Sequence, residues 1–240
     1  MTTVSASAAQ GTPPSTPPAP GALEAHWLGR VPYRQALALQ ERVHGEVASG
    51  ARPDTLLLLE HDPVITTGRQ VVAENVHIDA AKRAQLGIDF VETGRGGDVT
   101  YHGPGQLVGY PIIALQEAER DVRAYVYRLE ELLIRTAQDL GVTAARVAGL
   151  RGIWVGNDKL AAIGIRLVKW VTLHGFALNV STKLDDFNHI VPCGLHGRGV
   201  TSFEKLCKPE PTMMEVRRRV AYHAGEVLGR ALKIEQVTPL

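Results

Sequence analysis

Three stretches of this 240-residue sequence carry side chains that could do chemistry. The first is Gly94-Arg95-Gly96-Gly97-Asp98-Val99-Thr100-Tyr101-His102-Gly103-Pro104-Gly105-Gln106, within a span to Gly109 that holds six of the 24 glycines. Such density lets a backbone approach a ligand closely, because no Cβ intervenes and positive φ costs little. The nucleotide fingerprints fail here. A GxGxxG begun at Gly94 meets Val99, one begun at Gly103 meets Val108, and no GxxxxGK[ST] occurs. A structural glycine loop is one reading; Arg95, Thr100, Tyr101 and His102 set among the glycines favour binding.

The second stretch is Ile190-Val191-Pro192-Cys193-Gly194-Leu195-His196-Gly197-Arg198. Proline before and glycine after Cys193 suggest a sharp turn, and His189, His196 and Arg198 supply positive charge that would favour a thiolate. An isolated cysteine is also a small hydrophobe, so nucleophile and core residue both stand as readings. Cys207, between Leu206 and Lys208, carries no assigned role. The third stretch is Lys159-Leu160-Ala161-Ala162-Ile163-Gly164-Ile165-Arg166. Read alone, Lys159 is a solvated lysine at a strand edge. A Cys–His hydrolase with His174 or His102 as base is open on residue types alone. A zinc site is not supported, since there is neither an HxxxH pair nor a CxxC.

Elements must position these groups. Tyr33, Ala36, Leu37, Gln40, Val43 and Val47 follow helical spacing between Pro32 and Gly50. Thr55 to Leu59 reads as a buried strand. Val122, Tyr125, Leu129, Leu132, Leu133, Thr136 and Leu140 predict one face of a helix over 121–140, ended by Gly141. Ile153-Trp154-Val155 and Lys159 to Arg166 flank Gly156-Asn157-Asp158 as a hairpin, and Trp170 to Val180 reads as extended. Thr212-Met213-Met214-Glu215 is a capping box that opens a last helix through Val216, Val220, Val227 and Leu228. Strands and helices without regular βαβ alternation predict an α+β fold with a mainly antiparallel sheet.

Composition excludes other classes. Lys and Arg number 26 against 25 Asp and Glu, so the net charge of +1 argues against a polyanion or nucleic-acid binder. Aromatic residues make up only 5%, and two cysteines cannot form a disulfide framework. Residues 1–22 hold five of the 14 prolines and no charge. They lack the basic start and apolar run of a signal peptide, and their composition predicts a disordered leader. Residues 23–240 are expected to form a single catalytic domain. No apolar run approaches the roughly 20 residues needed to span a bilayer, so no membrane partner and a cytoplasmic location are expected.

Arg95 through Gln106 with Tyr110-Pro111-Ile112, Lys159 through Arg166, His174-Gly175-Phe176-Ala177-Leu178-Asn179 and Ile190 through Gly194 closely resemble the signature blocks of the octanoyl/lipoyl-[acyl-carrier-protein]–protein N-octanoyltransferases, also called lipoate–protein ligase B. The blocks occur in family order, and similarity spans roughly Glu24 to Leu232. The resemblance implies a biotin/lipoyl attachment enzyme-like fold: a central mainly antiparallel sheet, a smaller sheet and flanking helices. It implies transfer of an octanoyl or lipoyl group from acyl carrier protein to a lysine on lipoyl domains of 2-oxoacid dehydrogenases and on the glycine cleavage H protein, without cofactor or metal. A monomer is expected.

In the family the matched cysteine carries the acyl group as a thioester and the matched lysine activates it, here Cys193 and Lys159. Substrate contacts map onto Arg95, Gly96, Gly97, Asp98, Val99, Thr100, Tyr101 and His102, onto Ala162, Ile163 and Gly164, and onto Gly175, Phe176 and Ala177. Leu160, Ile163, Phe176 and Leu178 are candidates to line an acyl tunnel, with Tyr101 and His102 in its wall. Basic patches around Arg95, Arg166, Lys169 and Arg198 would meet acidic partner domains. Two alternatives remain: an ATP-dependent lipoate or biotin ligase of the same fold, and a non-catalytic lipoyl-domain binder.

Overall fold

A computed structural model describes residues 21–191 and 197–234. The expected leader therefore lies outside the described residues, except that Ala22 already belongs to the first strand. Along the chain the elements are β1 (Ala22–Arg30), α1 (Tyr33–Ala48), β2 (Asp54–Glu60), β3 (Val64–Thr67), α2 (Ala80–Leu86), β4 (Asp89–Glu92), β5 (Val99–His102) and β6 (Gln106–Ile112). They continue with α3 (Val122–Asp139), β7 (Ala145–Val147), β8 (Leu150–Val155), β9 (Asp158–Val168), β10 (Val171–Asn179), β11 (Gly199–Val200), α4 (Phe203–Leu206), α5 (Met213–Leu228) and β12 (Ala231–Ile234).

The large sheet runs β12-β1-β2-β6-β10-β9-β8-β7, with β11 added beside β9; the small sheet runs β4-β3-β5. From β2 through β6, β10, β9 and β8 to β7 all neighbours are antiparallel. The parallel pairs sit at one edge, β1 with β2 and β12, and where β11 joins β9. This is the α+β architecture with two sheets expected from the sequence.

Two apolar layers fix the large sheet. α3 and α5 cover one face, where Tyr125, Leu129, Leu132, Leu133, Val216 and Val220 pack on Leu56, Leu58, Leu107, Phe176 and Leu178. α1 covers part of the other, through Ala36, Val43 and Val47 on Leu57, Leu59, Val108 and Ala177. Each fully buried leucine or valine contributes about 1.5–3 kcal/mol of transfer free energy. The helical periods were legible, but Val122 is exposed at the helix start rather than on the buried face. Asp121 caps α3 by accepting from the Arg123 and Ala124 amides, and the Thr212–Glu215 capping box forms as read.

The two sheets share one ribbon. β2 and β6 pair antiparallel in the large sheet, and their continuations β3 and β5 pair antiparallel in the small one. The bends lie at His61-Asp62-Pro63 and Gly103-Pro104-Gly105, and the Gly105 amide donates to Glu60 Oε2 at 2.6 Å across them. Gly105 has φ +80°, and a Cβ there would strike the Ser181 backbone. The segment from Gly94 to Gly109 is therefore two strands and their connections, not one long glycine loop.

The β8–β9 turn is Gly156-Asn157, with Gly156 at φ +59° as a type II′ turn requires. The β9–β10 turn is Lys169-Trp170, both left-handed at φ +52° and +62° with no glycine present. That turn was invisible to composition, because each left-handed non-glycine residue costs about 1–2 kcal/mol and is rarely chosen. The Trp170 carbonyl repays part of this by accepting from the Leu115 amide at 2.9 Å. Among the described residues, no helix is long and apolar enough to cross a membrane.

Candidate active site

The paired strands β9 and β10 build the floor of the main cavity. Their register sets Gly164 opposite Gly175, Ile163 opposite Phe176 and Ala162 opposite Ala177. The Gly94–Gly97 connection crosses over β9, where the Gly96 amide donates to the Ile165 carbonyl at 2.8 Å. Gly164 permits that crossing: a Cβ there would meet the Gly96 carbonyl oxygen at 3.0 Å. Thr100 and His102 of β5, Val108 and Tyr110 of β6 and Tyr33 of α1 complete the lining with Arg95, Gly97, Val99 and His174. The space is about 490 Å³ when its open mouth is counted.

Arg95 is only 7% exposed. Its guanidinium donates to the Thr66 carbonyl at 2.6 Å, to Thr66 Oγ1 at 3.1 Å and to the Gly96 carbonyl at 3.1 Å. It is thus a buried clamp between the small sheet and the glycine connection, not part of a surface basic patch as the sequence suggested. Its charge also bears on the imidazoles around it.

Burial, then His61, and further down Arg95, press the His102 pKa down to about 3. Burial, then Arg95 and Arg166, bring His174 to about 4, and burial brings His61 to about 4. All three are neutral at pH 7. Their basicity is poorly matched to general-base work at that pH, which weakens the Cys–His hydrolase reading. The His61 Nδ1–H donates to the Val31 carbonyl at 2.7 Å, leaving Nε2 to accept from the Tyr110 hydroxyl at 2.6 Å.

A second, smaller cavity adjoins the first. Lys159 lines it with Gln106, Asn179, Phe187 and Val200, and Thr100, Ala162 and Ala177 line both. The two cavities therefore share a wall, and the lysine lines the smaller one beyond it. Lys159 is 5% exposed, with Nζ 4.9 Å from the Trp154 ring centroid. It is not the solvated strand-edge lysine that sequence alone suggested. A relay connects the cavities: His102 Nδ1–H donates to Gln106 Oε1 (2.8 Å), Gln106 Nε2 to Asn179 Oδ1 (3.0 Å), and Asn179 Nδ2 to the Thr201 carbonyl (2.9 Å). The Thr201 amide donates to the Lys159 carbonyl at 3.0 Å, beside the β11–β9 pairing of Val200 with Lys159.

Most residues singled out from sequence line the main cavity: Arg95, Gly97, Val99, Thr100, His102, Ala162, Ile163, Gly164, Gly175, Phe176 and Ala177. Three serve elsewhere. The Gly96 amide fixes the crossing over β9. Asp98 accepts from the Val72 amide at 3.1 Å and from Asn75 Nδ2, tying down the turn before α2. Tyr101 alternates away from the cavity and donates to Asp186 Oδ2 at 2.7 Å, against Phe187. Leu160 and Leu178 belong to the core rather than an acyl tunnel, whereas Ile163 and Phe176 line the cavity.

Cys193 lies outside the described residues. The chain leading to it is anchored where the Val191 amide donates to the Asn75 carbonyl at 2.8 Å. Cys207 is buried, its thiol facing the Leu140 carbonyl at 3.6 Å and raised in pKa by burial, in keeping with its lack of a role. Sequence reasoning missed Tyr33, Val108 and Tyr110 as lining residues. Tyr33 carried a usable signal, since it began the apolar face of α1, and Tyr110 stood in the Tyr110-Pro111-Ile112 block; Val108 carried none beyond its apolar run.

Comparisons with known proteins agree with this geometry. The family model of the lipoyl protein ligase A/B catalytic domain matches residues 32–225. The chain is 48% identical over 210 residues to an octanoyltransferase of Caldicellulosiruptor bescii, covering 87% of this chain and 92% of that protein. It is 50% identical over 200 residues to an octanoyltransferase of Solibacter usitatus, covering 83% and 90%. Among solved structures, lipoate-protein ligase A bound with ATP superimposes with a TM-score of 0.71 at 19% identity, over 90% of each chain. A chain from the structural analysis of the bipartite lipoate protein ligase and its E2 lipoyl domain from Thermoplasma acidophilum gives a TM-score of 0.71 at 19% identity over 92% of this chain and 88% of that one. At that identity the structural likenesses establish the fold; the sequence relatives establish more. The chain belongs to the lipoyl protein ligase A/B catalytic-domain family and, within it, to the octanoyltransferases, which makes it an acyltransferase.

Proposed function

We propose that this protein takes an octanoyl group from acyl carrier protein, holds it as a thioester on Cys193, and passes it to the ε-amine of a lysine on a lipoyl domain. The observation that carries this reading is the mainly apolar cavity sharing a wall with a smaller one that a buried lysine lines. An eight-carbon chain needs such a slot, and the acyl carbonyl at its end needs a group that can move a proton. The octanoyltransferase relatives favour this over an ATP-dependent ligase.

In the first step Lys159 takes the Cys193 thiol proton, and the thiolate attacks the carrier thioester carbonyl. The carrier C–S bond breaks and the carrier thiol leaves protonated. Exchange of one thioester for another is nearly isoenergetic, so no ATP is needed. In the second step the incoming lysine amine attacks the Cys193 thioester, Lys159 accepts the amine proton, and cysteine leaves as thiolate. Amide formation is downhill and drives the cycle. A free cysteine is only a few per cent thiolate near pH 7, which is why a neighbouring proton acceptor matters. Acceptors would be lipoyl domains of 2-oxoacid dehydrogenases and the glycine cleavage H protein, and the enzyme would act as a cytoplasmic monomer.

Incubation with octanoyl carrier protein should add one octanoyl group at Cys193, visible by intact-protein mass spectrometry. Cys193→Ser should abolish the thioester adduct and transfer, and Lys159→Ala should slow both. Full transfer by Cys193→Ser would defeat the mechanism. Free octanoate plus ATP serving as donor, with no activity from the carrier thioester, would favour the ligase reading.

A further inference from the structure

Trp154 is the side chain against which the buried lysine rests. It pairs with Lys159 across the β8–β9 hairpin, where an irregularity between Ile153 and Trp154 sets the register. Directly paired antiparallel residues bring their side chains together on one face. The indole is 2% exposed, and Lys159 Nζ lies 4.9 Å from its centroid, inside the roughly 6 Å within which a ring face attracts an ammonium. The Arg198 guanidinium, five residues after Cys193 in sequence, lies 5.0 Å from the same ring. Trp154 Nε1 is buried with no hydrogen-bond partner among the described residues. A hydrogen bond from the indole edge therefore does not explain a tryptophan at this position; its π face and volume do.

We propose that Trp154 is a positioning residue for the acyl transfer: its ring face holds Lys159 Nζ as the ammonium formed when the lysine takes up a proton. This rests on the reading of Lys159 as the proton acceptor. A lysine side chain has four rotatable bonds and is ordinarily mobile at a surface. Over an indole buried in the hairpin, Nζ is held at one place, and the negative potential of the ring stabilises the protonated lysine that accompanies a cysteine thiolate. The ring touches neither the acyl chain nor the reacting carbon in this scheme, so its influence should fall on turnover and not on donor binding.

The test compares octanoyl transfer from carrier protein to a lipoyl domain in Trp154→Phe and Trp154→Leu. Trp154→Leu should lower kcat at least tenfold with the donor KM within threefold of wild type, and Trp154→Phe should recover most of the loss. Mono-, di- and trifluorotryptophan placed at position 154 keep the shape of the ring while weakening its face, so kcat should fall stepwise along the series. That series decides the matter even where Trp154→Leu does not fold. A flat kcat across the fluorinated series, or equal loss in the Phe and Leu variants of a folded protein, would overturn the proposal. Lys159→Ala in the same assay separates the two ideas: if it keeps full transfer, the role given to Lys159 fails; if it is slow while the fluorinated series is flat, only the role of Trp154 fails.

Discussion

Adding one methyl group to β6 or β10 tests whether the cavity wall is as closely built as the contacts imply. Gly109 faces Phe176 across the β6–β10 pair, and a Cβ at 109 would overlap three atoms of the Phe176 ring. Gly175 is the harder case, because its Cβ would strike the Gly109 carbonyl oxygen and crowd Pro111 Cδ at 2.6 Å. A ring can tilt, although this one is buried; a backbone carbonyl in a sheet can move only if the strands part. Overpacking of a tight interior costs about 1–3 kcal/mol, and replacing glycine regains about 0.4–1 kcal/mol from the unfolded chain. Gly109→Ala should therefore lose about 1–2 kcal/mol net, and Gly175→Ala should lose about 3 kcal/mol or more. At about 2–4 °C per kcal/mol for a chain of this size, that is a Tm fall of about 2–8 °C for the first and more for the second.

The functional consequence follows from Phe176 lining the cavity. In Gly109→Ala the displaced ring should raise KM for octanoyl thioesters severalfold while butanoyl thioesters are little affected. Thermal melts by circular dichroism, with transfer kinetics on four- and eight-carbon thioesters, measure both. Melting unchanged within 1 °C in both variants, or a larger loss in Gly109→Ala than in Gly175→Ala, would refute the packing argument.

Other perturbations test other parts of the molecule. Gly45 lies exposed in α1 with nothing near its Cβ position, so Gly45→Ala should raise stability by about 0.5–1 kcal/mol, read as a higher Tm. His61, His102 and His174 titrate in the folded protein at about 4, 3 and 4, below the unfolded value of 6.5. The unfolded chain therefore binds more protons as pH falls below about 6.5, and their contribution, complete above that pH, is lost progressively toward pH 3–4. Denaturant midpoints should drop steadily between pH 7 and 5, and His61→Gln should flatten the slope; an unchanged slope would contradict the burial of His61. Arg230 donates to Asp54 Oδ2 at 2.7 Å and to both Glu119 oxygens at 2.8 and 2.7 Å, and holds the Glu119 pKa down to about 2. Burial raises Asp54 in the same network, so the pH response is a difference of opposing shifts and deletion is the cleaner probe. Arg230→Ala should cost about 3 kcal/mol, because Asp54 loses its cation and Glu119 keeps only Arg128, at 3.1 Å; a Tm within 2 °C of wild type would refute that.

Sequence by itself went far here because its signals were local. The helical periods of α1, α3 and α5, the Gly156-Asn157 turn and the Thr212–Glu215 cap each depend on residues within one or two turns of chain. The glycine, lysine, histidine and cysteine blocks were likewise legible as motifs in order, and they named the family. Tertiary structure decided what those motifs do in space. Strand alternation sends Thr100 and His102 into the cavity and Tyr101 away from it. The crossing of the glycine connection over β9 buries Arg95, which a linear charge count placed on the surface. Parallel pairing of β1 with β2 and β12, the glycine-free Lys169-Trp170 turn and the approach of Lys159 and Arg198 to Trp154 depend on contacts between residues up to about 200 positions apart. Local propensity holds no record of such contacts, because the packing that stabilises them exists only after the sheet has closed.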